Sequence, residues 1–306
     1  MPRSEQGKAN KSKYDMKYKA EIAMRCDAGH GECSWWDDRR QKMLFMDCIG
    51  KRLFAYDPET GGRREYRLPF NPEAVIGCED GGYVATSENA VYKLDDDFNV
   101  VEKLRDVDHG KPTDRFNDCK CGPDGAFWVG SMGTQGEPEE GKLYRYTPEG
   151  ELAVAIDKVG ISNGFCWTSD LKTMFYTDTI HGEVYAFEYD AETSALSNRR
   201  VIFHDTSVHP DGMTIDDQDT IWLALWESSK VVHIDPKTGE ILDEVEVEGA
   251  NLTSSACFGG RNFDILFITT SRLIYKEGDL EKWPNAGSLF MVKTGAKGSQ
   301  LFRGKF

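Results

Sequence analysis

Short runs of apolar and aromatic residues alternate with polar turn segments along the chain. Six such runs begin at intervals of 39, 44, 47, 47 and 45 residues, and they cover residues 44–46, 83–85, 127–129, 174–176, 221–223 and 266–268. An internal period of about 40 to 50 residues is typical of propellers. The pattern therefore predicts six structural units of similar size.

A second apolar run follows each first run, at residues 53–56, 91–94, 143–146, 184–187, 231–234 and 289–292. Most of these runs end in turn residues, as at 57–61 and 235–239, where proline presets φ and glycine accepts a positive φ. Units of about four short antiparallel strands, rich in aromatic and β-branched residues, are propeller blades. The predicted fold class is therefore all-β, a six-bladed β-propeller.

Each blade has a face that it cannot bury alone, so the ring of blades must close for the fold to be stable. We expect the segment from Tyr18 to Cys26 to pair with the C-terminal strands for that purpose. Residues 18–306 then form a single propeller domain. Residues 1–17 are polar and lysine-rich, and we predict that they form a disordered tail.

The net negative charge of the chain indicates which kinds of binding partner are disfavoured. The 306 residues include 37 Lys and Arg against 52 Asp and Glu, and the net charge of −15 disfavours nucleic acid and anionic membranes. Charged residues interrupt every apolar run before it reaches the roughly 20 residues that span a bilayer. The first nineteen residues lack the apolar core of a secretory signal, so we expect a cytoplasmic protein, a monomer or weak homodimer.

The cysteines do not suggest a disulfide framework. All eight lack paired C-x-x-C spacing, and a chain of this length builds a core without covalent crosslinks. We expect them to be reduced and mostly buried. Cys119 and Cys121 fall on the same face of a strand, where packing is a more common use than zinc binding.

Four acids and amides occupy nearly the same position in the repeat, just before the first apolar run. Glu32 precedes its run by 12 residues, Asn117 by 10, Asn163 by 11 and Asp211 by 10. This position corresponds to the innermost strand of a blade, which lines the channel, so we expect the four side chains to converge on the axis. Glu73 shares the register and could be a further channel carboxylate or a strand-end charge.

A ring of carboxylate and amide oxygens without histidine or thiolate suits a hard divalent cation. Ca²⁺ is the first expectation, with Mg²⁺, Mn²⁺ or Zn²⁺ as alternatives, in a central-channel metal site. Taken singly, Asn117-Asp118, Asn163-Gly164 and Asp211-Gly212 would each be interpreted as turn residues. Their shared register favours the metal site.

The chain resembles the family of gluconolactonase, regucalcin (senescence marker protein) and luciferin-regenerating enzyme over roughly residues 27–293. The resemblance rests on Gly31-Glu32, Arg115-Phe116-Asn117-Asp118, Gly130-Ser131-Met132, Ile161-Ser162-Asn163-Gly164, Pro210-Asp211-Gly212-Met213 and Cys257-Phe258-Gly259-Gly260. Two stretches depart from the family pattern. Gly31-Glu32 continues as Cys33-Ser34 where members usually have Gly-Pro, and residues 133–140 differ from the acidic loop of some lactonases.

The resemblance implies a role for each matching residue. Glu32, Asn163 and Asp211 would hold the metal, and Arg115 and Asn117 would contact the hydroxyls or carbonyl of the substrate. Asp211 would also take the proton from water, with Asp118 as the competing base or as a group that orients it.

The function predicted on this basis is metal-dependent hydrolysis of a small lactone or similar ester by activated water. An organophosphate hydrolase that uses the same metal is one alternative, and a propeller that binds a divalent cation without catalysis is another. Among the remaining residues, His209 is a candidate for the site. Trp226 could form a wall for the substrate, but we predict that it packs in the core.

Overall fold

Six antiparallel sheets form the blades of a propeller in the computed structural model, which describes residues 18–111, 114–133, 137–299 and 301–306. Two strands, β1 (Tyr18–Lys19) and β2 (Glu21–Met24), precede the first blade. Blade 1 consists of β3 (Gly31–Asp37), β4 (Lys42–Asp47), β5 (Arg52–Tyr56) and β6 (Arg63–Arg67). Blade 2 consists of β7 (Ala74–Gly77), β8 (Tyr83–Thr86), β9 (Ala90–Leu94) and β10 (Val100–Asp106).

The third and fourth blades have the same order of strands. Blade 3 consists of β11 (Arg115–Cys121), β12 (Phe127–Met132), β13 (Gly141–Tyr146) and β14 (Leu152–Val159). Blade 4 consists of β15 (Ser162–Trp167), β16 (Thr173–Asp178), β17 (Glu183–Tyr189) and β18 (Leu196–His204).

The last two blades also use the N-terminal strands. Blade 5 contains β19 (His209–Ile215), β20 (Ile221–Trp226), β21 (Lys230–Ile234) and β22 (Ile241–Glu246). Blade 6 contains β23 (Thr253–Gly259), β24 (Ile265–Thr270) and β25 (Leu289–Val292). A short helix, α1 (Asp279–Lys282), lies between β24 and β25. No helix in the ranges described has the length and hydrophobicity that crossing a lipid bilayer requires.

The sixfold repeat predicted from the sequence is confirmed. The first apolar run of each unit lies in the second strand of a blade, and the second run lies in the third strand. The innermost strands are β3, β7, β11, β15, β19 and β23, and each contacts the innermost strands of the neighbouring blades. They therefore surround the channel.

The N-terminal segment closes the ring, as predicted. Glu21 and Ile22 of β2 pair antiparallel with Met291 and Phe290 of β25, so blade 6 is built from both ends of the chain. Strand β1 adds to the outer edge of blade 5, where Tyr18 pairs with Val245 in a parallel register. The predicted tail over residues 1–17 lies outside the described residues.

The hydrophobic core fills the interfaces between blades. Trp36 of blade 1 stacks on Phe267 of blade 6 with ring centroids 6.0 Å apart, and Trp128 of blade 3 meets Trp167 of blade 4 at 5.6 Å. The eight cysteines are free and buried, which confirms the expectation from their spacing.

Candidate functional site

A cavity of about 390 Å³ opens at the end of the channel where the innermost strands begin. We call it the axial cavity. The predicted site residues Glu32, Arg115, Asn117, Asn163 and Asp211 all line it. Asp118 is buried nearby but is not among the lining residues.

β-Bulges place these side chains in the cavity. In β11, β15 and β19 two residues oppose one on the neighbouring strand, and the bulged pairs are Asn117-Asp118, Asn163-Gly164 and Asp211-Gly212. A bulge changes the direction of a side chain and is common beside active sites. The three pairs therefore lie within strands, and the interpretation of each as a turn is wrong.

Glu32 lies in a slightly different position from the other three. It pairs with Met46 immediately before the bulge of β3, whereas Cys33 and Ser34 occupy the bulge itself. This accounts for its interval of 12 residues to the first apolar run against 10 or 11 for the others.

Two glycines bring the innermost strands of blades 4, 5 and 6 close together. A Cβ on Gly164 would lie 2.3 Å from the backbone nitrogen of Met213, and a Cβ on Gly212 would lie 2.8 Å from Cα of Ser255. No side chain fits at either distance. The glycines after Asn163 and Asp211 therefore allow these two residues to share the cavity floor.

Hydrogen bonding fixes the orientation of the Asn163 amide. The Thr179 hydroxyl donates its single proton to the carbonyl oxygen of Pro210 at 2.7 Å, so toward Asn163 it can only accept. The Asn163 Nδ2 group donates to it at 3.1 Å. The amide oxygen Oδ1 is therefore turned away from Thr179.

Two buried oxygens of the cavity floor lack a hydrogen-bond partner among the described residues, Asn163 Oδ1 and Asp211 Oδ1. Buried polar atoms in native proteins are normally satisfied, and exceptions commonly mark a place for an ion or ligand. Both residues line the axial cavity. The cavity floor therefore presents two acceptors to whatever occupies it.

The electrostatics of the floor favour a bound cation. Burial, followed by the neighbouring Asp118 carboxylate, raises the pKa of Glu32 to about 8. Burial, followed by Glu32 and Asp118, also raises the pKa of Asp211 well above its ordinary value. An opposite charge within a few ångströms favours the ionised form of a carboxyl group.

The donor set of the floor fits a hard divalent cation. The described residues contain no cluster of three or more His, Cys, Asp or Glu side chains that could hold a metal, and the predicted set consists instead of two carboxylates and one amide. Oxygen ligands of this kind suit Ca²⁺, Mg²⁺ or Mn²⁺. The unpartnered oxygens of Asn163 and Asp211 support the same assignment.

Arg115 is held in the cavity wall by the buried acid Glu73. Its Nη1 donates to Glu73 Oε2 at 2.9 Å and to the carbonyl oxygen of Phe116 at 2.8 Å. Glu73 is only 6% exposed, and burial raises its pKa to about 7 although Arg115 opposes that change. Glu73 directly precedes β7 and does not line the axial cavity, so it is a buried strand-end charge that pairs with Arg115 and not a further channel carboxylate.

Asn117 is anchored beside Arg115. Its Nδ2 donates to the carbonyl oxygen of Ser162 at 2.9 Å, and its Oδ1 lies 3.4 Å from Arg115 Nη1. The two predicted substrate-binding residues thus form one connected polar wall.

His30, His209 and Trp226 also line the cavity, and of these the sequence analysis missed His30 and placed Trp226 in the core. Trp226, predicted to be core, is partly exposed in the cavity wall, and its ring meets that of His30 edge-on at 5.8 Å. His30 Nδ1 lies 2.9 Å from Ser271 Oγ, and burial lowers the pKa of His30 to about 3, so the ring is neutral. His209 lines the mouth of the cavity, as suspected.

The sequence offered one signal for Trp226. It ends the second strand of its blade, at the same end of the channel as the start of the innermost strand, where it pairs with His209. His30 had no such signal, because its partner Ser271 is far away in the chain.

The sequence is similar to that of a known protein family over most of its length. Residues 30–272 match the family model described as the SMP-30/gluconolactonase/LRE-like region. Regucalcin of Oryctolagus cuniculus is 33% identical over 276 residues, which cover 88% of this chain and 92% of that protein.

Two solved structures have the same fold over almost their whole length. A luciferin-regenerating enzyme has a TM-score of 0.84 and 26% identity, covering 92% of this chain and 96% of its own. A regucalcin from Agrobacterium tumefaciens, described as a calcium-binding protein, has a TM-score of 0.87 and 21% identity, covering 94% of this chain and 98% of its own.

Proposed function

The chain belongs to the SMP-30/gluconolactonase/LRE-like family, and from that premise we propose that it hydrolyses a small lactone in the axial cavity. The observation that carries the proposal is the pair of buried, unpartnered oxygens, Asn163 Oδ1 and Asp211 Oδ1, on a cavity floor that they share with Glu32. The acidic chain, with a net charge of −15, supports a small-molecule substrate over a polyanion. The cytoplasmic location and the monomeric or weakly dimeric state stay predictions.

Glu32, Asn163 and Asp211 would hold one divalent cation, with Ca²⁺ as the first candidate and Mg²⁺, Mn²⁺ or Zn²⁺ as alternatives. When bound, such a cation polarises an ester carbonyl and lowers the pKa of a water molecule.

The proton of the attacking water goes to Asp211 in this proposal. Asp211 lines the cavity and has a free Oδ1, whereas Asp118 lies outside the lining and accepts a hydrogen bond from the Cys119 backbone at 2.8 Å. A general base in contact with the reacting water contributes about 10² to 10⁴ in rate. Asp118 would act instead as a buried charge beside the floor.

Arg115 and Asn117 would bind the polar groups of the lactone. The ion pair with Glu73 fixes the Arg115 guanidinium and compensates its charge. Arg115 can then donate hydrogen bonds to a neutral substrate from a fixed position, which reduces the entropy lost on binding.

The proposal is tested with purified protein on a panel of lactones, with a fluorophosphate for comparison. We expect lactone turnover that a chelator abolishes and added Ca²⁺ restores, and calorimetry should detect one cation per chain. Glu32→Gln should lose both turnover and cation binding, because it removes a charged ligand without changing shape. Glu102→Gln, an exposed position on β10, is the matched control.

The alternatives predict different outcomes of the same experiment. Preferential turnover of the fluorophosphate would favour an organophosphate hydrolase. Cation binding without any turnover would favour a binding propeller. Full lactone turnover by Glu32→Gln would contradict the assignment of the site.

A further inference from the structure

Three β-turns at the mouth of the axial cavity carry apolar residues at their tips. Gly182 N bonds to Thr179 O at 3.1 Å around Ile180, and Ser228 N bonds to Leu225 O at 3.2 Å around Trp226. In the third turn, Tyr275 N bonds to Arg272 O at 2.9 Å, and the two tip residues are Leu273 and Ile274. All four apolar residues line the cavity.

Apolar turn tips are unusual, because glycine, proline, asparagine, aspartate and serine dominate turns. Ile180, Leu273 and Ile274 are 40%, 42% and 49% exposed. Several other turns follow the ordinary rule, and the tips at residues 58–60, 148–149 and 236–238 consist of Pro, Glu, Thr and Lys, although the turn between Asp47 and Gly50 also exposes Ile49. Ile180, Leu273 and Ile274 thus place three exposed apolar side chains around one cavity, an arrangement expected where a ligand covers them.

The third turn is held in place on both sides. Arg272 donates to the carbonyl oxygen of Ala286 at 2.7 Å and to Asp27 Oδ1 at 2.6 Å. The Tyr275 hydroxyl donates to Asn251 Oδ1 at 2.5 Å. Leu273 and Ile274 are consequently presented by an anchored turn and do not fold back onto the core.

We propose that the substrate is a lactone with an aliphatic substituent, which packs against Ile180, Trp226, Leu273 and Ile274 while its ester lies on the polar floor. This inference rests on the proposed function and names its substrate class. The cavity joins the two surfaces, and its volume of about 390 Å³ lies within the range of small-molecule sites. A fully hydroxylated sugar lactone would leave the apolar turn tips uncovered.

The first test is a series of γ-lactones whose alkyl substituent grows from none to six carbons, with gluconolactone as the polar reference. Burial of one methylene contributes enough free energy for about a fourfold gain in affinity. We expect kcat/KM to rise by about that factor per carbon over the first carbons and then to level off as the cavity fills. A flat series, or a strong preference for gluconolactone, would overturn the inference.

The second test measures binding without turnover. Calorimetric titration with alkyl γ-lactams, which resist hydrolysis, should give the same dependence on chain length in the presence of Ca²⁺. Ile274→Ser and Leu273→Ser should each weaken binding of the long-chain lactam about fivefold and change that of the unsubstituted lactam less than twofold. Leu242→Ser, at a position that is 47% exposed on β22, is the matched control and should bind like the wild type.

These two tests separate the inference from the function on which it rests. If no lactone is hydrolysed but lactam binding still depends on chain length and on Ile274, the hydrolase proposal fails and the apolar subsite stands. If lactones are hydrolysed while chain length and the two serine variants have no effect, the hydrolase stands and the aliphatic substituent is refuted.

Discussion

The two ends of the channel are built by the same innermost strands, but one end is open and the other is covered by the chain itself. At the cavity end, Asn163 Oδ1 and Asp211 Oδ1 lack partners among the described residues, and apolar turn tips are exposed. At the other end, C-terminal residues of the same chain cover the channel. There Phe302 packs against Trp167 with ring centroids 5.8 Å apart.

Residues 296–299 and 301–306, which we call the C-terminal strap, produce this closure. The strap bonds to the backbone of four blades, through Gly298 N to Phe263 O at 2.8 Å, Ser299 N to Ile215 O at 3.2 Å, Lys305 N to Gly125 O at 3.0 Å and Gly304 N to Gly77 O at 3.0 Å. A space of only about 70 Å³ remains beneath it.

Side chains of the strap add to these contacts. The Arg303 guanidinium lies 5.1 Å from the centre of the Trp35 ring and 3.5 Å from Asp37, and the Phe306 ring stacks on Tyr146 at 5.6 Å. The comparison teaches that the chain fills one end of the channel with its own side chains and leaves the other end open, where Asn163 and Asp211 line the axial cavity. The open end is where we propose that a cation and a substrate bind.

The largest expected effect separates the two buried acids of the cavity end. Asp211→Asn should lower kcat by about 10³-fold or more, because it removes a general base and a charged ligand together. Asp118→Asn should lower kcat by about tenfold at most, because Asp118 is outside the cavity lining. Steady-state kinetics with saturating cation provide the measurement. A larger loss of kcat from Asp118→Asn than from Asp211→Asn would make Asp118 the general base.

Removal of the C-terminal strap should affect stability and leave the chemistry intact. A chain that ends at Gly295 loses packing by Phe302 and Phe306, and we expect the free energy of unfolding to fall by about 3 to 4 kcal/mol. Urea unfolding measures the loss, and the truncated chain should keep its turnover at low temperature. Unchanged stability would show that the strap is not what closes that end.

Glu73 should give a dependence of stability on pH that its amide variant lacks. Its pKa is about 7 in the folded protein against an ordinary value of 4.5, so the folded state binds more protons between these values. Stability contributed by Glu73 therefore falls as the pH rises from about 4.5 to about 7, by up to about 3 kcal/mol. Urea unfolding of the metal-free protein across this range should show a steeper fall for the wild type than for Glu73→Gln, and parallel curves would contradict the prediction.

The smallest effect concerns the residue that orients the Asn163 amide. Thr179→Val removes the hydroxyl that accepts from Asn163 Nδ2, while it keeps the shape of the side chain. Loss of such an outer partner typically weakens metal binding about 10- to 100-fold, and we expect the lower part of that range. Calorimetric titration with Ca²⁺ is the measurement, and Thr193→Val in an exposed turn is the control.

The sequence by itself determined the blade architecture, the ring closure and the candidate floor residues. These depend on local patterns, because alternating apolar runs and turn residues at 57–61 or 235–239 specify strands and hairpins wherever they occur. Equal register in a repeat then brings Asn117, Asn163 and Asp211 to the same height in the channel.

Only the tertiary structure decided the orientation and the contacts of the site residues. The bulges, the close approach at Gly164 and Gly212, and the orientation of Asn163 by Thr179 and Pro210 all depend on strands from neighbouring blades meeting. The apolar wall at Leu273 and Ile274 likewise comes from an anchored turn in another blade. Contacts between residues distant in the chain leave no periodic trace in the sequence, so only the folded ring shows which groups meet and which are left without a partner.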